Sequence, residues 1–173
     1  MRRKKRTKKD NKLQLDYSGK VTVNVVRNGE VLKTIDGHNS GTYRLFEFIA
    51  KCLSGKYESQ CTPKFLQIFH VADASQDISE NLQSLVGIIS VATTIYNSSK
   101  QNSSASASLT FSIPGELFNN VSLLPNLFAL YSQEDRLNQT SPLATYYLDG
   151  GLTNIASDTN VIVVWELIIG NKQ

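Results

Sequence analysis

The chain has 173 residues, 40% of them hydrophobic, enough for one domain with a sizeable core. Its formal charge of +3 hides two unlike parts: residues 1–12 hold eight Lys or Arg and one Asp, a net of +7, while the rest of the chain holds ten basic and fourteen acidic side chains, a net of −4. No segment has the eighteen or so apolar residues of a membrane-spanning helix. The basic start runs into NKLQLDYSGK rather than an apolar secretory segment, and two cysteines, Cys52 and Cys61, are too few for a disulfide framework. These features argue against a secreted disulfide scaffold and for a chain kept in a reducing interior.

Arg2, Arg3, Lys4, Lys5, Arg6, Lys8 and Lys9 repel one another, and no burial offsets the entropy of ordering them. Residues 1–12 are therefore expected to form an arm, disordered alone and ordered only against a partner, in front of a single domain over 13–173. In VTVNVVRNGEVLKTI, Val21, Val23 and Val25 alternate with Thr22 and Asn24, and Asn28-Gly29 suits a type I′ turn. The pattern predicts a hairpin pairing 20–27 with 30–35. Next, Leu45, Phe48, Ile49, Cys52 and Leu53 make one helical stripe. Ser40 or Thr42 can cap its start and Gly55 its end, which predicts an amphipathic helix over about 42–54.

Strand patterns follow at KFLQIFHV (64–71), VGIISVATTIY (86–96), SLTFSIP (108–114), NLFALYS (126–132), LATYYLD (143–149) and NVIVVWELIIG (160–170), separated by Gly, Pro, Asn, Asp and Ser clusters. With the hairpin these make eight strands and no alternating helices, so the expected class is mainly β: an antiparallel eight-stranded β-sandwich with the one helix across an edge or open face. The polar run NSSKQNSSASAS (97–108) reads as an exposed loop or the frayed tip of a long hairpin. The glycosylation-like matches at Asn97, Asn102, Asn120 and Asn138 read as polar loop residues. In the last strand Val161, Val163, Trp165, Leu167 and Ile169 share one face, and Ile162, Val164, Glu166 and Ile168 the other. A strand apolar on both faces lies centrally under other parts of the chain or is covered by a neighbouring subunit.

Catalytic chemistry is hard to place. His38, His70, Cys52 and Cys61 lack the close ligand pairs of structural zinc sites, and Cys52 lies on the apolar stripe of the helix, where a thiol acts as a small hydrophobe. Phosphate loops, nucleophile elbows and HExxH motifs are absent from the sequence. Asp149-Gly150-Gly151 reads as a turn. Asp73, Asp77 and Glu80, and Glu134 with Asp135, read as solvated loops. The expectation is a non-enzymatic protein with no catalytic residue, no metal and no cofactor. The arm is left as the one chemical handle, either pairing with nucleic-acid phosphates or threading onto an acidic protein surface.

A short basic arm on an eight-stranded β body is the plan of the jelly-roll shell subunits of small icosahedral viruses, whose arms touch the genome. HNSGTYRLFEFIAKCLSGKY (38–57) and NVIVVWELIIGN (160–171) resemble small virion proteins of tailed bacteriophages. The matching residues are Gly41, Thr42, Leu45, Phe46, Phe48, Ile49, Ala50, Cys52, Leu53 and Gly55, then Val163, Trp165, Glu166, Leu167, Ile169 and Asn171. The resemblance covers both ends, about a fifth of the chain. It implies a structural role as a capsid accessory, collar or tail subunit, located in the virion and made in the host cytoplasm. The implied partners are other virion proteins and further copies of the chain, with packaged nucleic acid within reach of the arm and no membrane. The fold expected on this basis is of jelly-roll type, with interfaces near Trp165 and at 97–108.

Overall fold

The structure is a computed structural model that describes residues 15–55, 62–73, 84–99, 104–132 and 141–171. The basic arm, Cys61, Asp77, Glu80, Asn102, Glu134, Asp135 and Asn138 lie outside the described residues.

Asn28 and Gly29 both take positive φ, 52° and 82°, and join β1 (Leu15–Arg27) to β2 (Glu30–His38). A bulge between Val25 and Val26 leaves Leu32 as an extra residue on β2. The hairpin is longer than its alternating valines suggest, because β1 begins at Leu15 and pairs from there to Val26 with the last strand. A two-residue strand, β3 (Ser40–Gly41), leads into helix α1 (Tyr43–Leu53). Thr42 occupies the N-cap in extended conformation, yet its hydroxyl donates to the Pro142 carbonyl at 2.6 Å and not to the helix. The capping residue thus ties the helix start to the strand beyond Leu143. Gly55, at φ 71°, follows the helix end as expected.

The remaining strands are β4 (Phe65–Phe69), β5 (Ile88–Ser90), β6 (Thr93–Ser99), β7 (Ser104–Pro114), β8 (Leu127–Tyr131), β9 (Ala144–Tyr147) and β10 (Asn160–Asn171). They form two five-stranded antiparallel sheets: a long one ordered β2-β1-β10-β7-β6 and a short one ordered β3-β9-β8-β4-β5. Among the described residues there are ten strands, not eight. One of the additions is β3. The other arises because 86–96 is two strands in different sheets. Val91 N–H donates to Lys64 O beside the short sheet, and the next residue, Ala92, donates to Thr110 O in the long one. The chain turns a corner between these two residues, as strands do where they switch sheets. Of the run 97–108, residues 97–99 belong to β6, with Asn97 on the strand rather than in a loop, and 104–108 to β7, paired antiparallel; 100–103 lie outside the described residues. Asp149-Gly150-Gly151 is a turn, closed by Gly151 N–H donating to Leu148 O at 3.0 Å.

The sheets face each other across one core, giving a β-sandwich-like body. Val21 and Val23 of β1, Leu109, Phe111 and Ile113 of β7, and Val161, Val163 and Trp165 of β10 meet Leu66, Ile68, Phe128, Leu130, Ala144 and Tyr146 of the short sheet. Trp165 is fully buried here. The two-sided apolarity of 64–71 and 126–132 has a cause inside the chain. Phe69, Val71, Leu127, Ala129 and Tyr131 form a second buried cluster, joined by Phe65 and Tyr147. Those faces are not free for a partner. On β10 the case differs: Ile162, Val164 and Ile168 are only half-buried, between the hydroxyl-bearing Thr22, Ser106 and Thr110 of the neighbouring strands.

Asn126 locks the start of β8. Its Nδ2 donates to Val71 O at 2.8 Å, its Oδ1 accepts from Val71 N–H at 2.9 Å, and its own N–H donates to Phe69 O. All of this is buried. Asn126→Ala orphans both backbone groups of Val71. With about 1–3 kcal/mol for each buried group left unpaired, a loss of about 3 kcal/mol is expected. The chemical-denaturation midpoint measures it, and an unchanged midpoint would show that the Asn126 bonds add nothing.

Candidate interaction surface at the overhanging end of the long sheet

The central strands of the long sheet run eleven to thirteen residues and those of the short sheet four or five. The inner face of the long sheet therefore continues past its partner. Its overhang carries Tyr17 and Gly19 on β1, Leu167 and Ile169 on β10, Ala105 and Ala107 on β7, and Tyr96 and Ser98 on β6, all in register. Helix α1 closes this end with Leu45, Phe48 and Ile49, and Leu45 and Phe48 pack on Leu143. The two alanines are too small to meet the helix. A half-open apolar cavity of about 320 Å³ results, with Leu167, Ile169 and Tyr96 on one wall and the helix on the other.

The helix carries three stripes. One faces inward, with Leu45, Phe48, Ile49 and Cys52. A second holds Arg44, Glu47 and Lys51, where Glu47 pairs with both cations and its carboxyl is held below the usual range, chiefly by Lys51. The third is Tyr43, Phe46, Ala50 and Leu53, spaced i, i+3, i+7, i+10, with Tyr43 79% and Leu53 83% exposed. Leu53, expected from its spacing on the inward stripe, is exposed. The structure puts it outward, because inward-facing residues stop at Cys52.

Beside the cavity the Tyr17 hydroxyl donates to Asn39 Oδ1. The Trp165 indole N–H lies near that hydroxyl, outside hydrogen-bond geometry. Burial pushes the Tyr17 hydroxyl up to about 12, against the opposing pull of Asn39 and Trp165. Gly19 makes room for this group: a Cβ there would stand 1.9 Å from Asn39 Oδ1.

Of the residues the sequence singled out, Arg2, Arg3, Lys4, Lys5, Arg6, Lys8 and Lys9 lie outside the described residues. His38 is exposed at the end of β2, and His70 places Nδ1 2.8 Å from Leu124 O. Among the described residues no group of three His, Cys, Asp or Glu could hold a metal. Trp165, expected near an interface, belongs to the core instead, because β10 is a central strand and its inner face meets the other sheet. The outward stripe of α1 was missed, although its spacing is legible in the sequence. The sheet edges were missed because strand order is not written in strand patterns. No family model, curated protein or solved structure matches this chain.

Two outcomes test the packing of this end. In Gly19→Ala the new methyl expels Asn39, with an expected cost of about 2 kcal/mol, typical of overpacking, read from thermal or denaturant unfolding. The second is alkaline. Below pH 10 the tyrosine is neutral in both states. Between about 10 and 12 the unfolded chain loses this proton while the folded chain keeps it, so stability falls as pH rises. Tyr146, also raised by burial, acts in the same direction. Unfolding titrations are expected to decline across that window, and Tyr17→Phe to decline less steeply. An equal slope in Tyr17→Phe would contradict the assignment.

Proposed function

We propose that this chain is a structural subunit of a tailed-phage virion, a capsid accessory, collar or tail component that packs against copies of itself and neighbouring virion proteins. The observation that carries the reading is the overhanging end of the long sheet. There the inward face of α1 and the uncharged edge strand β6 line one cavity, and the outward face of α1 carries a stripe of exposed apolar side chains. Exposed apolar surface concentrated in this way marks contact with another protein. Two facing antiparallel sheets support the jelly-roll type at the level of layers, while four pairs of sequence neighbours, β1/β2, β4/β5, β6/β7 and β8/β9, lie side by side within a sheet. The reading needs no cofactor and no catalytic residue. It places the protein in the virion after synthesis in the host cytoplasm. No helix among the described residues is long and apolar enough to cross a membrane.

In this reading the arm is the tether. Arg2, Arg3, Lys4, Lys5, Arg6, Lys8 and Lys9 order on an adjacent virion component or on packaged nucleic acid. The second reading, a nucleic-acid-binding protein, draws on the same seven cations and the net +7 of residues 1–12. Phosphate contacts by seven side chains would give a log–log salt slope of about −6 on duplex DNA.

Light-scattering mass of the purified chain, with absorbance at 260 and 280 nm, separates the two. The structural reading expects a defined oligomer that keeps its number of copies when residues 1–12 are deleted. A monomer that carries nucleic acid, releases it at high salt and loses it with the arm would replace it with the nucleic-acid reading.

A further inference from the structure

The long sheet ends on two unlike edges. The β2 edge carries Glu30, Lys33 and Asp36 and the bulge at Leu32, devices that keep a sheet from pairing with a stranger. The β6 edge, TTIYNSS, has no charge, no proline and no bulge in its pairing with β7. Residues 92–98 are all exposed, Ile95 by 52% and Tyr96 by 70%. A seven-residue strand of this composition presents an unpaired row of backbone donors and acceptors, a template for another strand.

We propose that β6 pairs antiparallel with β6 of a second copy across a two-fold axis at Tyr96, joining two long sheets into one continuous sheet. This deepens the self-assembly reading above and rests on it. A second copy is the occupant that the edge chemistry fits. The edge offers no charge to attract a basic or acidic peptide, and about a two-fold at Tyr96 it is self-complementary. Thr93 stands opposite Ser99, Thr94 opposite Ser98, and Ile95 opposite Asn97. The two Tyr96 side chains meet on the inner face and continue the apolar layer of Leu167, Ala105 and Ala107 across the axis, a favourable cross-strand aromatic pair. An isologous contact of this kind closes on itself. A standard interface needs about 800 Å² per partner. The strand edge supplies part of that, together with the exposed side chains of Ile95 and Tyr96.

The test is light-scattering mass of the full chain through a dilution series, for the parent, Ile95→Lys, Tyr96→Lys and, on the opposite edge, Val31→Lys. The parent and Val31→Lys are expected to run at twice the mass of one chain. Both β6 variants are expected to raise the dimer dissociation constant at least about tenfold, since Tyr96→Lys sets two ammonium groups together at the axis. Thermal melts confirm that the exposed substitutions leave the fold intact. Independently, Tyr96→Cys is expected to give an inter-chain disulfide on oxidation, above the level of the parent with its own Cys52 and Cys61. A parent that stays monomeric throughout overturns both this inference and self-assembly. An oligomer unaffected by both β6 variants, or one in which Tyr96→Cys fails to cross-link, overturns the edge pairing alone and leaves the structural role standing. Equal loss in Val31→Lys overturns the two-fold in favour of head-to-tail pairing of β6 with β2.

Discussion

Unequal strand length is the constraint on which this molecule turns. β1, β7 and β10 pair over long stretches, and the short sheet cannot cover all of their inner face. Burial of apolar surface dominates folding, so the uncovered part must find another partner. Helix α1 is that partner, with Leu45, Phe48 and Ile49 facing this end of the sheet. The cover is incomplete because Ala105 and Ala107 are small. The cavity follows from this mismatch between the sheets, and the strand order sets the bare edge at Tyr96 along its rim.

Burial is otherwise thorough. The outer face of the short sheet is buried within the chain around Ala129 and Tyr131, and the inner faces meet around Trp165. Polar groups caught inside are placed by close fits: Asn126 completes the backbone ladder at Val71, and Asn39 lies against Gly19 with the Tyr17 hydroxyl as its partner. Among the described residues, apolar side chains left for contact with other molecules include Tyr43, Phe46 and Leu53 on α1, Ile95 and Tyr96 on β6, and the half-buried Ile162, Val164 and Ile168 between threonines and serines.

Much of this was legible in the sequence. Asn28-Gly29 located the first hairpin because few dipeptides accept two positive φ angles. The Leu45 to Cys52 spacing located the helix, and each later β-rich run holds at least one strand. The corner at Val91–Ala92 was not legible. A run of β-branched residues looks the same whether it stays in one sheet or crosses to another, and the distinction lies in which carbonyl each N–H finds. Apolarity on both faces is compatible with burial inside the chain and with subunit packing, and for β4 and β8 the structure shows the first. Trp165 was misplaced for a related reason: two-faced strands do not reveal which face meets the core. The cations of the arm were plain in the sequence, and the charge contrast between β2 and β6 was equally plain. That contrast acquires meaning only once the strand order makes both of them edges.

The claim at the centre of this account is that β6 is the edge left open for another copy. Amide hydrogen exchange of the full chain, followed at high and low protein concentration, tests it directly. The account predicts that amides in Thr93–Ser99 gain protection as concentration rises while those of β2 do not change. Exchange in β6 that is equally fast at every concentration, or protection that grows on β2 instead, would contradict it.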